Sequence, residues 1–244
     1  MRYYKYNNYI DTCRNNLMRY NQFESIISAP RMSRYLVACF GNTRKSMTLY
    51  RLNLKLSQEF FTVISCFEIS LRNKIDGHLT LTLGNNWLRN GAQQHGIFDN
   101  NYTWHTKKNI NDAIDSLGTS YTHNKLVAEL GFGFWRFLFA QRQYTATGRN
   151  LLSIFPTKPK SSPTNQYNPN YVFNQLAAIN KFRNRIAHHE PICFRNSHSI
   201  KDSTEARQLY ATIMQFFQWM NINESELLYG IDHINKVCND LDNL

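Results

Sequence analysis

Phe60, Ile64, Phe67, Leu71 and Ile75 recur at spacings of three and four, with Leu56 and Val63 beside them. That spacing gathers the side chains on one side of an α-helix, whereas successive strand residues alternate between faces. The stripe is wide, as in a helix enclosed by others. It predicts a long central helix over Asn53–Leu79, broken by Gly84 and Asn85-Asn86. A chain built on such a helix must bring further helices to cover it.

The rest of the chain supplies them. Ser28-Ala29-Pro30-Arg31 reads as a helix start, with Ser28 as N-cap and Pro30 in the first turn, running to about Phe40 before Gly41. Thr106–Leu117 is amphipathic and ends at Gly118. Leu126–Ala140 reads as one helix, with Gly131 and Gly133 allowing close backbone packing. Pro156, Pro159, Pro163 and Pro169 mark residues 156–170 as a loop. Helices then follow over Tyr171–His189, Asp202–Met220 and Glu224–Leu241. No repeat and no run of paired strands appears. The expected class is an all-α bundle with a long crossover, one domain over residues 1–244. Within it lie a basic amino-terminal region (1–50), the 156–170 loop, and a carboxy-terminal part (171–244).

With 244 residues and 42% hydrophobic content, the chain has ample material for a core. It carries 28 Lys and Arg against 17 Asp and Glu, a formal +11. The excess is uneven: net +7 over residues 1–60, +5 over 61–170 and −1 over 171–244. The basic region also holds Tyr3, Tyr4, Tyr6, Tyr9 and Tyr20, a pairing that suits a polyanion with stackable bases. Solvated surface lysines are the plainer reading. Met1–Ile10 is polar and aromatic, unlike a secretory signal, and no stretch reaches the about 18 apolar residues of a membrane span. No segment is both basic and strongly amphipathic, so no membrane partner is expected. The five cysteines are scattered without a C-x-x-C pair, which points to a reducing, cytoplasmic setting without a zinc knuckle. Cys66, in an apolar run, reads as a small buried hydrophobe.

The chemistry concentrates in Lys181-Phe182-Arg183-Asn184-Arg185-Ile186-Ala187-His188-His189-Glu190-Pro191. Arginine grips phosphate with a fork of donors, and histidine as a residue type exchanges protons near neutrality. On a wheel with Ile186 at zero, Ile179, Val172, Leu176 and Phe182 share one apolar side. Asn184 (about 160°) and His188 (about 200°) stack on the opposite side, with Ala177 and Lys181. Arg183, at about 60°, lies at the margin, and its stem can reach outward. His189, at about −60°, points back toward Phe182 as a structural residue. Pro191 ends the helix at Glu190. Three readings remain open. The cationic last turn can serve the helix dipole. His188, His189, Glu190 and His198 can be tried as a metal site, although adjacent helical histidines diverge by about 100°, and no metal or other cofactor is expected. Or the outward face is a phosphodiester site.

Arg183-Asn184-Arg185-Ile186-Ala187-His188 resembles the R-N-x-x-x-H signature of HEPN domains. The longer string Arg183–Pro191 resembles the Abi-like (AbiD/AbiF) abortive-infection proteins of bacteria. Ser28–Tyr35, Leu49–Asn53, Phe67–Asn73 and Gly131–Trp135 resemble further blocks of that family in the same order, so the similarity spans roughly residues 25–195. The resemblance implies a HEPN-type helical bundle with additional helices and a role in phage defence. It implies an RNA partner, either a cleavage target or a structured non-coding RNA, and a homodimer in which two motifs form one cleft. It also implies metal-independent cleavage of RNA. Arg183, Asn184 and His188 are then the catalytic candidates, and His189 and Glu190 the supporting ones. Glu68, Arg72 and Asn73 form a second polar cluster, read either as a surface pair four residues apart or as support for the motif helix. Arg31, Arg34, Arg44, Lys45, Arg51, Lys181 and Arg185 are the candidate RNA contacts. Trp135 reads as core rather than as a base-stacking residue. An RNA-binding protein of the same family that does not cut, and a protein-interaction bundle without nucleic acid, are the other expectations.

Overall fold

The apolar stripe forms the spine of the molecule. The computed structural model describes residues 18–195 and 198–244, and in it Thr43–Leu83 is a single helix of 41 residues, about 60 Å long. It follows two short helices, α1 (Tyr20–Ile27) and α2 (Ala29–Ala38), and is α3. It begins ten residues earlier than its apolar stripe announces. Ser46, Leu49, Tyr50 and Asn53 extend the buried side amino-terminally. Asn42 starts the helix, its side chain accepting from the Lys45 N–H at 3.0 Å. Gly84, at φ 97, ends it, its N–H bonding to the Thr80 carbonyl.

Eight-residue α1 and ten-residue α2 pack on the start of the spine through Phe23, Tyr35 and Tyr50, whose rings meet edge to face at 5.5 and 5.2 Å. Next come α4 (Trp87–Ala92), α5 (Trp104–Leu117), α6 (His123–Glu129), α7 (Phe132–Phe137) and α8 (Gln141–Ala146). After the crossover loop come α9 (Pro169–Ala187), α10 (Thr204–Trp219), α11 (Glu224–Leu227) and α12 (Ile234–Asp242). Phe60 on the spine meets Phe182 of α9 at 4.8 Å. Phe67 meets Phe132 of α7 and both Phe216 and Phe217 of α10. Asp76, near the far end, accepts from Trp87 Nε1 and pairs with His123 Nε2, each at 2.8 Å, and so fastens α4 and α6. Among the described residues there is no sheet; Phe194 and Lys201 form one isolated antiparallel bridge. The fold is all-α, as expected. No helix among the described residues is long and apolar enough to cross a membrane.

Several local expectations need correction. Leu126–Ala140 is two helices, because Leu130 and Gly131 are extended. The Leu130 carbonyl accepts instead from Trp135 Nε1 at 2.8 Å, which buries the indole as core. Gly131 and Gly133 face open space where a Cβ would stand, so they mediate no close packing. Glu224–Leu241 also divides in two, with Gly230 at φ 74 in the gap. Ser28 precedes α2 but makes no side-chain cap there; it sits at φ 86, its N–H closing α1 on Glu24. Cys66 is half-buried, whereas Cys39, Cys193 and Cys238 are buried and free. Tyr3, Tyr4, Tyr6 and Tyr9 lie outside the described residues.

Candidate active site

Helix α9 is built to present one face. Asn168 caps it by accepting from the Tyr171 N–H at 2.9 Å, and Pro169 occupies its first turn. Val172, Leu176, Ile179, Phe182 and Ile186 are buried against the bundle. Lys181, Asn184 and His188 are exposed on the other side, and Arg183 is half-buried at the margin, as the wheel predicts.

The end of the helix differs from the expectation. The last helical residue is Ala187, and His188 is the C-cap. His189 sits in the left-handed region at φ 57, its N–H on the Ile186 carbonyl, and the Glu190 N–H reaches back to the Arg185 carbonyl. A left-handed cap of this kind, rather than Pro191, stops the helix. His189 is exposed, so its structural contribution is a backbone one and not packing toward Phe182.

Arg185 holds this turn in place. Its guanidinium donates to Glu205 and to the Pro191 carbonyl, both at 2.8 Å, lies 4.0 Å from Glu190, and stacks over Phe182. Its side chain is 18% exposed. Asn53, buried on the spine, accepts from the Ile192 N–H at 2.8 Å and anchors the chain just past the motif. The turn carrying His188 is therefore tied to both α10 and α3.

A groove of about 400 Å³ opens along the outer face, with Lys181, Asn184, Arg185, His188 and Glu190 on one side. The other side supplies Arg136, from α7. This guanidinium lies over the rings of Phe137 (4.5 Å) and Phe173 (4.7 Å). Its Nε is buried without a hydrogen-bond partner, and burial pushes the pKa of Arg136 below the usual arginine value. A cation held at such a cost invites an anion. Three cations and one carboxylate thus surround an exposed imidazole and an exposed amide. Arg136 was missed in the sequence; the available signal was an arginine inside the apolar block Phe132–Phe139. Arg183 does not line the groove.

The other candidates lie elsewhere. Glu68 and Arg72 make no ion pair with each other; both are half-buried, Asn73 is exposed, and none lines the groove. Arg31 and Arg44 are exposed on α2 and the start of α3. Arg34 donates to the His198 carbonyl and stacks on Phe194, Lys45 donates to the Leu244 carbonyl, and Arg51 stacks on Phe23. Among the described residues, no three His, Cys, Asp or Glu side chains converge as metal ligands.

The Abi-like protein family model matches residues 1–193, four-fifths of the chain, and its match takes in the whole Arg183–Pro191 string. The chain belongs to the Abi-like family. The name denotes abortive infection, and phage defence is the role that membership suggests. No curated protein and no solved structure matches the chain. The Abi-like match stops at Cys193, before α10, although α10 supplies the Glu205 carboxylate that holds Arg185.

Proposed function

We propose that this Abi-like protein is a metal-independent HEPN endoribonuclease of phage defence, associated with a structured non-coding RNA and working as a homodimer. The observation that carries this reading is the outward groove that joins His188 and Asn184 to the under-partnered Arg136 and to Lys181. RNA brings its own nucleophile, the 2′-hydroxyl. His188 takes the proton from that hydroxyl, or gives one to the departing 5′-oxygen, with the second copy's motif in the complementary role. Arg136 and Lys181 hold the non-bridging oxygens as charge grows on the pentacoordinate phosphorus. Asn184 orients the imidazole or donates to the phosphate. Arg183, outside the groove of one chain, is left the task of supplying charge across the pair.

The 2′-oxygen–phosphorus bond forms as the phosphorus–5′-oxygen bond breaks, so the products carry a 2′,3′-cyclic phosphate and a 5′-hydroxyl. A single 2′-deoxy substitution at the cut site abolishes cleavage there, and chelators leave it untouched. Cleavage that survives the deoxy substitution, or that needs a divalent ion, defeats the proposal. One observation favours a second reading, an RNA-binding protein that does not cut: the family arginine, Arg183, stands off the groove. That reading expects tight RNA binding with no new ends.

A further inference from the structure

We propose that a second groove, remote in sequence from the motif, is a docking site for single-stranded RNA that does no chemistry. It goes beyond the nuclease reading and does not require that His188 cut anything. The groove measures about 380 Å³ and lies between the 97–103 loop and α8, with Tyr102, Arg142, Thr145 and Arg149 among its walls.

Its parts are fixed in place. Gln143 is buried and donates to Thr106 Oγ1 at 3.1 Å, which locks α8 against α5 and leaves the neighbouring Arg142 and Thr145 exposed. Gly148 and Arg149 follow in consecutive left-handed conformations, φ 92 and 60, and the Arg149 N–H returns to the Tyr144 carbonyl at 2.9 Å. That turn brings Arg149 back to the wall shared with Arg142. Across from them, Asn100 Oδ1 accepts from the N–H groups of Tyr102 and Thr103, and Thr103 Oγ1 donates to the Phe98 carbonyl. Tyr102 is thereby held with its ring 4.3 Å from the Arg142 guanidinium, yet it stays 69% exposed.

The charge is one-sided. Neither Arg142 nor Arg149 makes an ion pair among the described residues. Asp99, the acid of the adjoining loop, is taken by Lys107 at 2.7 Å. Other grooves carry carboxylates: Asp112 and Glu129 line one, Glu224 and Asp232 another, Asp202 and Glu205 a third. Two unpaired guanidinium forks suit successive phosphates, and an exposed ring suits a base. The Arg142 plane over Tyr102 adds a second surface on which a base can stack.

The test is binding of labelled oligouridylate to the full chain by fluorescence anisotropy. Replacing Arg142→Gln and Arg149→Gln together weakens binding about 10-fold and flattens the salt dependence by about 1.4 in slope, at about 0.7 per phosphate lost. Tyr102→Ala weakens binding at every salt concentration, and Tyr102→Phe restores it. Trp104, two residues on from Tyr102, is 50% exposed, whereas Trp87, Trp135 and Trp219 are buried. The emission of these three buried indoles shifts to the red on unfolding and so reports folding of each variant. Isotherms unchanged in the folded Arg142/Arg149 and Tyr102 variants overturn the proposal. So does tighter binding of oligothymidylate, or displacement by polyglutamate as effective as by RNA, which would make the groove an acidic-protein site. Oligouridylate binding that falls with these variants in a chain that never cuts RNA sinks the nuclease reading alone. Cutting that continues beside unchanged isotherms sinks the second groove alone.

Discussion

Arg136 pairs an electrostatic cost with the proposed role in gripping phosphate. Its guanidinium is half-buried over two phenylalanine rings, with Nε unpartnered and the charge disfavoured by burial. Removing a partly buried charge that has no partner strands no other group. Arg136→Met keeps the stem on Phe137 and Phe173, so its unfolding free energy in urea should stay within about 1 kcal/mol of the parent or rise. RNA cleavage should drop at least about 10-fold, the loss expected when a donor to the developing charge is removed. A variant clearly less stable and fully active would make Arg136 a structural residue. An arginine inside the apolar block Phe132–Phe139 marks the position in the sequence, but the proposed role depends on α7 lying against α9, which no local pattern encodes.

At the scale of elements, helix ends carry the site. His189 holds a left-handed conformation that disfavours a residue with a Cβ by about 1 kcal/mol. His189→Gly should leave cleavage intact and stabilise by up to about 1 kcal/mol in chemical denaturation, whereas equal loss of activity with His188→Ala would make His189 an acid or base itself. The apolar period shows which face of α9 points outward, but not where the helix stops, since the left-handed cap at His189 rests on backbone bonds that a side-chain pattern does not encode. Asp202, ahead of α10, accepts hydrogen bonds from the Thr204 side chain, the Arg195 guanidinium and the Thr204 N–H, which hold its carboxyl down to about 2. A carboxyl depressed on folding stabilises above its unfolded pKa of about 4 and loses that contribution as pH falls through about 2. The amount is about 1 kcal/mol after screening, since Arg195 is 60% exposed. Asp202→Asn should remove this part of the acid dependence of the denaturation midpoint; an unchanged slope between pH 4 and 2 contradicts the assignment. Apolar spacing also runs straight across Leu130 and Gly131, where the backbone is extended and the Leu130 carbonyl accepts from Trp135 Nε1 five residues on.

For the whole molecule, the spine and the all-α class were legible because a 3.6-residue period needs no tertiary information. The two grooves were not, because each joins segments far apart in the chain. Family membership reaches only residue 193, yet Phe216 and Phe217, beyond it, pack on Phe67 at the middle of the spine. Phe217→Ala should cost about 3–5 kcal/mol in equilibrium unfolding, as for a fully buried aromatic ring. A cost under 1 kcal/mol would make the last three helices an accessory rather than part of one core. The face of α9 turned away from that core is the one proposed to do chemistry on RNA. The most direct test is to incubate RNA with purified protein in chelator and sequence both kinds of end, for the parent and for His188→Ala. The parent should give new 2′,3′-cyclic phosphate and 5′-hydroxyl ends, falling about 100-fold or more in the folded variant. Equal numbers of such ends from both proteins, or none from the parent bound to RNA, would contradict it.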